Sequence, residues 1–222
     1  MNRTPKWTRI LGHAVAWLPL AWLLVEAGLG RLSPNPIQDW TQRTGRGALY
    51  LLTLSLAATP LSWLPGLKGI RPWRRTWGLY AFAYAALHVY LFVGVDYGWR
   101  WDWLWQEILT QKPFVWWGAA AWVILAALAA TSPHRVARRL GARRWKALHR
   151  AVYLAAPLAT WHAAQAVKGN VLTLQGDITR PVTVGLLVTL LLLARLVRHL
   201  GRRPPLRRVP PRPPAPETGG NP

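Results

Sequence analysis

The chain has 222 residues, 52% of them hydrophobic and 16 of them Trp, with a formal net charge of +21. Six apolar stretches of about 18 to 20 residues, each long enough for a bilayer, point to a small polytopic membrane protein rather than a soluble domain. Cys is absent and the only Met is Met1, which excludes disulfides, thiolate-held iron–sulfur clusters and the C-x-x-C-H attachment of haem.

The first span is expected over residues 10–29, after Arg3, Lys6 and Arg9; it is longer than the apolar core of a signal peptide and is read as retained. The second runs over about 47–64 with Pro60 near its end, where a neighbour can satisfy the carbonyl that proline frees. The third covers 77–95. The fourth covers 113–131 and opens on Pro113, a favourable first-turn residue. The fifth covers 147–167 and the sixth 181–200. The fold class is therefore all-α, a polytopic membrane protein built as a six-transmembrane-helix bundle over residues 1–200. Residues 201–222, rich in Pro and Arg, are expected to form a disordered basic tail, whose arginines suit anionic headgroups of the lipid bilayer.

Charge sets the orientation. Of the 28 Lys and Arg, 21 fall before the first span, between the second and third, between the fourth and fifth, at adjoining helix ends, or in the tail. By the positive-inside rule both termini are cytoplasmic. Five of the seven acids, Asp39, Asp96, Asp102, Glu107 and Asp177, fall on the other side. The +21 is thus mostly topology, and no nucleic-acid partner is expected. Trp63, Trp73, Trp77 and Trp145 are expected to border the cytoplasmic face. Trp40, Trp99, Trp101, Trp103, Trp105, Trp116 and Trp117 border the other as interfacial anchors, with the WRWDWLW run lying flat on the outer surface.

Histidine at membrane depth is costly unless it is functional. With thiolate and thioether ligands absent, an iron porphyrin would take histidine on both faces, from His13, His88, His134, His149, His162 and His199. At 1.5 Å per residue His149 and His162 are roughly 20 Å apart and cannot ligate one iron. Counting from the cytoplasmic boundary, His88 lies roughly 16 Å in and His162 roughly 22 Å, so these two can face each other within the tilt of real helices. His149 lies about 3 Å in, and His13 about 4 to 5 Å, the one other span histidine at that depth. His134 and His199 read as solvated helix ends. For His88 the competing reading is a satisfied interhelical histidine bonding to a Ser, Thr or carbonyl, and for His13 and His149 it is an interfacial imidazole reaching water. Glu26, the one acid within a span, reads first as interfacial and second as a protonatable group.

The motifs T-G-R-G-A-L at Thr44 to Leu49, T-P-L at Thr59 to Leu61, R-R-x-x-G-L at Arg74 to Leu79 followed by A-x-x-H-V at His88, and W-x-x-L-H-R-x-V-Y-L-A at Trp145 to Ala155 followed by His162 resemble the MsrQ (YedZ) family of the ferric-reductase-like transmembrane superfamily. The resemblance covers about residues 5–200. It implies haem b, one or two per chain, with His88, His162 and His149 at the iron-ligand positions and His13 as a candidate ligand of a second haem, and it implies an association with FMN. It also implies the role of an electron-transfer subunit in the bacterial inner membrane. Electrons would pass from quinol or a cytoplasmic flavin reductase to a periplasmic molybdopterin-dependent methionine sulfoxide reductase, where terminal catalysis resides. Two alternatives are a self-sufficient quinol- or ferric-reducing cytochrome and a non-redox membrane scaffold or transporter.

Overall fold

The computed structural model describes residues 6–167, 169–170, 175–176 and 178–201. Its helices are α1 (Lys6–Gly28), α2 (Pro36–Leu61), α3 (Trp73–Tyr90), α4 (Trp101–Thr110), α5 (Val115–Ala130), α6 (His134–Leu140), α7 (Ala142–His149), α8 (Val152–Ala166) and α9 (Thr179–Leu200). A π-helical turn, Leu91–Asp96, prolongs α3. One antiparallel pair, Gly169–Asn170 with Gln175–Gly176, joins α8 to α9. From residue 202 the expected tail lies outside the described residues.

The organising element is α2. Asn35 caps it by accepting the Gln38 N–H at 3.2 Å, and Pro36 opens its first turn. From Gly47 to Ala58 it is buried on nearly every face, the signature of a helix surrounded by others. The helices α1, α3, α8 and α9 pack around it, and α5 completes the bundle against α3 and α8. The core runs through Ala16, Leu51, Leu52, Leu56, Ala81, Leu125, Ala155 and Val188. The outer faces of α1, α5 and α9 are apolar yet uncovered, as at Trp22, Val123 and Leu190, which suits contact with lipid.

All six expected spans correspond to helices, but they are not alike. Three, Ile10–Gly28, Trp73–Asp96 and Thr179–Leu200, are long and apolar enough to cross a membrane on their own. A fourth is obtained if α4 and α5, bent 116° apart, count as one broken span. The remaining two are atypical for physical reasons. The first half of α2 carries Asp39, Arg43 and Arg46, and protein rather than lipid surrounds the helix. The fifth span is split at Arg150 and Ala151 into α7 and α8, and the 15 residues of α8 reach roughly 22 Å.

Two of the prolines within helices have a side chain inserted beside them. Pro60 has no N–H for the Leu56 carbonyl, and the Arg195 guanidinium of α9 donates to that carbonyl instead, while also donating to the Tyr153 hydroxyl at 2.9 Å. Next to Pro19 the Tyr84 hydroxyl sits within the α1 ladder, accepting from the Leu20 N–H at 3.1 Å and donating to the Ala16 carbonyl at 3.0 Å. This inserted side chain ties α1 to α3. Trp77, expected at the interface, is a core residue at 6% exposure whose indole N–H donates to the Gly12 carbonyl at 3.1 Å. The tryptophans from Trp99 to Trp105 are exposed as expected, with Leu104 and Ile108 turned inward along α4. Glu26 forms an ion pair with Arg43 of α2.

Candidate functional site

Four helix ends converge at the end of the bundle opposite the basic loops: the late turns of α3 and α8, the first turns of α2, and the residue before α5. His88 projects from α3 and His162 from α8, and their ring centroids lie 6.1 Å apart with planes crossed at 76°. Each ring is anchored through Nδ1, which donates to the Thr41 carbonyl at 2.8 Å from His88 and to the Phe114 carbonyl at 2.9 Å from His162. A carbonyl only accepts, so the proton is on Nδ1 and each Nε2 keeps its lone pair. Among the described residues no side chain or backbone group hydrogen-bonds to either Nε2.

Two imidazoles so arranged could hold a metal between them. Ligating histidines characteristically give their other N–H to a carbonyl or carboxylate, which fixes tautomer and ring orientation. A ligating imidazole nitrogen sits about 2.0 Å from a first-row metal, which puts two such nitrogens about 4 Å apart and their ring centroids about 6 Å apart. The observed 6.1 Å matches that distance. Among the described residues no group of three or more His, Cys, Asp or Glu gathers to hold a bare ion. A metal here needs its remaining ligands from elsewhere, as the four nitrogens of a porphyrin provide, so the pair fits haem.

Both rings fit because of glycine. A Cβ on Gly45 would stand 3.0 Å from the His88 Nδ1, and one on Gly118 would stand 2.8 Å from the His162 Nδ1. Gly45 falls within the T-G-R-G-A-L motif, but neither it nor Gly118 nor the supporting carbonyls is marked by the sequence as a support for histidine. Backbone carbonyls leave no trace in composition, whereas glycine inside a helix, costing about 1 kcal/mol relative to alanine, is a legible mark of close approach.

His149, the last residue of α7, stacks on Trp145 with ring centroids 3.9 Å apart, and its Nδ1 donates to the Trp145 carbonyl at 3.1 Å. Its Nε2 is buried and meets no partner at hydrogen-bond geometry among the described residues, with the Leu128 carbonyl close enough to act on the ring. An orphaned buried nitrogen with a free lone pair also suits a metal. His13 differs: its Nδ1 meets the Tyr80 hydroxyl at 3.0 Å, and Trp73 and Tyr80 pack edge-on against its ring. It lines a cavity of about 420 Å³ with Arg75, Thr76 and Tyr80. Tyr80 donates or accepts, so no tautomer of His13 is set. No ring contact joins His13 to His149 among the described residues. His134 shares its Nε2 with the Arg75 guanidinium at 3.0 Å. The geometry thus brings His88 and His162 together, stacks His149 on Trp145 of its own helix, and leaves His13 apart from it.

Residues 44–160, more than half of the chain, match the family described as ferric reductase like transmembrane component. The chain is 37% identical over 195 residues to the protein-methionine-sulfoxide reductase heme-binding subunit MsrQ of Rhodospirillum rubrum, covering 88% of this chain and 90% of the relative. It is 38% identical over 162 residues to the protein of the same name from Cronobacter sakazakii, covering 73% and 80%. For that of Ralstonia nicotianae the identity is 39% over 160 residues, covering 70% and 73%. The chain belongs to the ferric-reductase-like transmembrane family and, within it, to the MsrQ group.

Proposed function

We propose that this chain is a b-type cytochrome subunit that carries electrons outward across the bacterial inner membrane. The donor is quinol or a cytoplasmic flavin reductase, and the acceptor is a periplasmic molybdopterin-dependent enzyme that reduces methionine sulfoxide in oxidised proteins. The observation carrying this reading is the His88–His162 pair, crossed at 6.1 Å with each Nε2 unbonded among the described residues. The relatives' names, heme-binding subunits of protein-methionine-sulfoxide reductase, supply the downstream chemistry.

Haem b held by His88 and His162 supplies a one-electron carrier in a low-dielectric bundle. The Thr41 and Phe114 carbonyls orient the imidazoles and raise their basicity as ligands. With both termini cytoplasmic, the pair lies in the periplasmic half, where its electron leaves for the acceptor. His149, at the cytoplasmic end, is assigned to a second haem on the strength of the family resemblance, with its buried Nε2 in support. For His13 to act as the opposing ligand, Tyr80 would accept from its Nδ1 and its Nε2 would face the metal. The FMN association is carried by the resemblance alone, with no residue assigned to it.

Anaerobic addition of a reduced quinol analogue to the purified full chain tests this reading. A reduced α-band is expected, reoxidised only when the periplasmic enzyme and methionine sulfoxide are both present. A colourless protein would overturn the reading in favour of a scaffold or transporter. Reoxidation by ferric chelates without the partner would overturn it in favour of a self-sufficient reductase.

A further inference from the structure

The two histidine supports are built alike. On α2, the carbonyl of Thr41 receives the His88 Nδ1–H, and four residues later Gly45 leaves the space that ring occupies. At the start of α5, the carbonyl of Phe114 receives the His162 Nδ1–H, and four residues later Gly118 leaves the corresponding space. A spacing of four is one helical turn, so carbonyl and glycine lie one above the other on the same face of each helix. Each forms a notch: an acceptor at one edge, bare backbone at the other, and an imidazole from the neighbouring helix laid between. The same device occurs once in the α2–α3 pair and once in the α5–α8 pair.

We propose that Gly45 and Gly118 are positioning residues, and that their two notches hold the His88 and His162 planes crossed, thereby setting the ligand field of the metal between them. This rests on the reading that the two histidines ligate one haem. The orientation of an imidazole plane governs which iron d-orbital its π system overlaps. Crossed planes treat the two π-type d-orbitals nearly alike, and parallel planes split them. The observed 76° is close to the crossed limit. Neither glycine has a positive φ, so alanine suits the backbone at both positions and its effect is confined to the ring it meets. At Gly118 the added Cβ would stand 2.8, 2.9 and 3.0 Å from three ring atoms of His162. At Gly45 the distances to His88 are 3.0, 3.2 and 3.5 Å. The ring at Gly118 must therefore move further.

The test is electron paramagnetic resonance of the oxidised, purified full chain, with haem content measured on the same samples, for the wild type, Gly45→Ala, Gly118→Ala and Gly28→Ala. Gly28 has open space around it and serves as the control. The wild type and Gly28→Ala are expected to give the highly anisotropic low-spin signal of crossed ligand planes. Gly45→Ala is expected to shift toward a rhombic low-spin signal. Gly118→Ala is expected to shift further, or to lose haem while remaining folded by circular dichroism. A rhombic wild-type signal, or alanine variants indistinguishable from wild type at full haem content, would overturn the inference and leave the haem assignment standing. A wild type that binds no haem would overturn the haem assignment itself, and this inference with it.

Discussion

Replacing Tyr84 with Phe removes one oxygen from the junction between α1 and α3 and leaves the ring in place. That oxygen accepts from the Leu20 N–H at 3.1 Å and donates to the Ala16 carbonyl at 3.0 Å. Its removal therefore strips two backbone groups of a partner in a region without water. If α1 tightens so that Leu20 and Ala16 bond directly, the loss approaches the roughly 0.6 kcal/mol average for a hydrogen bond within a membrane protein. If Pro19 prevents this, one or both groups stay unsatisfied and the loss reaches about 1 to 3 kcal/mol. The expected outcome for Tyr84→Phe is thus a destabilisation of about 1 to 3 kcal/mol by reversible unfolding in mixed micelles. Tyr90→Phe is the control, because Tyr90 is 54% exposed on the same helix. The haem spectrum should not change, since the Tyr84 ring still packs on Gly47. Equal stability of Tyr84→Phe and Tyr90→Phe would refute the claim that an inserted hydroxyl secures α1.

Arg195→Met should destabilise the bundle more than Arg195→Gln, since only the latter keeps a donor for the Leu56 carbonyl that Pro60 frees. In a Pro60→Ala background the rung N–H returns, and the cost of Arg195→Met should fall by about 1 kcal/mol in the double-mutant cycle. Asn35→Ala, which removes the cap of α2, should cost about 1 kcal/mol in the same unfolding assay. His149→Ala should lower the haem per chain measured by pyridine haemochrome while sparing the His88–His162 signal. A content indifferent to His149 would remove the second haem, and one indifferent to His13 would remove His13 from it.

Hydropathy located α1, α3 and α9 because a bilayer demands length and apolarity together, but it began α2 at residue 47 where the helix begins at Pro36. It did not show that α2 is enclosed by protein, since burial in helices and burial in lipid select similar side chains. The meeting of His88 with His162 was legible from depth alone: both lie far from the basic boundary, and rise per residue converts that into proximity. The supports were not legible, because the groups that hold the rings are the carbonyls of Thr41 and Phe114, which any residue carries. Gly45 and Gly118 were in plain view, but a glycine announces a close approach without naming what approaches. His149 and His162 belong to separate helices, α7 and α8, so the separation of roughly 20 Å drawn from one continuous helix assumed a path that Arg150 and Ala151 break. Trp77 was misplaced because tryptophan at a helix end serves equally as a belt residue and as a donor to a neighbouring carbonyl.

The central claim is that His88 and His162 hold one haem between them. Its most direct test is the haem content of purified, folded His88→Ala and His162→Ala. Each substitution alone should abolish most of the reduced α-band attributable to this site, since a single imidazole does not give the low-spin ferrous iron from which that band arises. Full retention of haem, with an unchanged low-spin signal, in both variants would contradict the account.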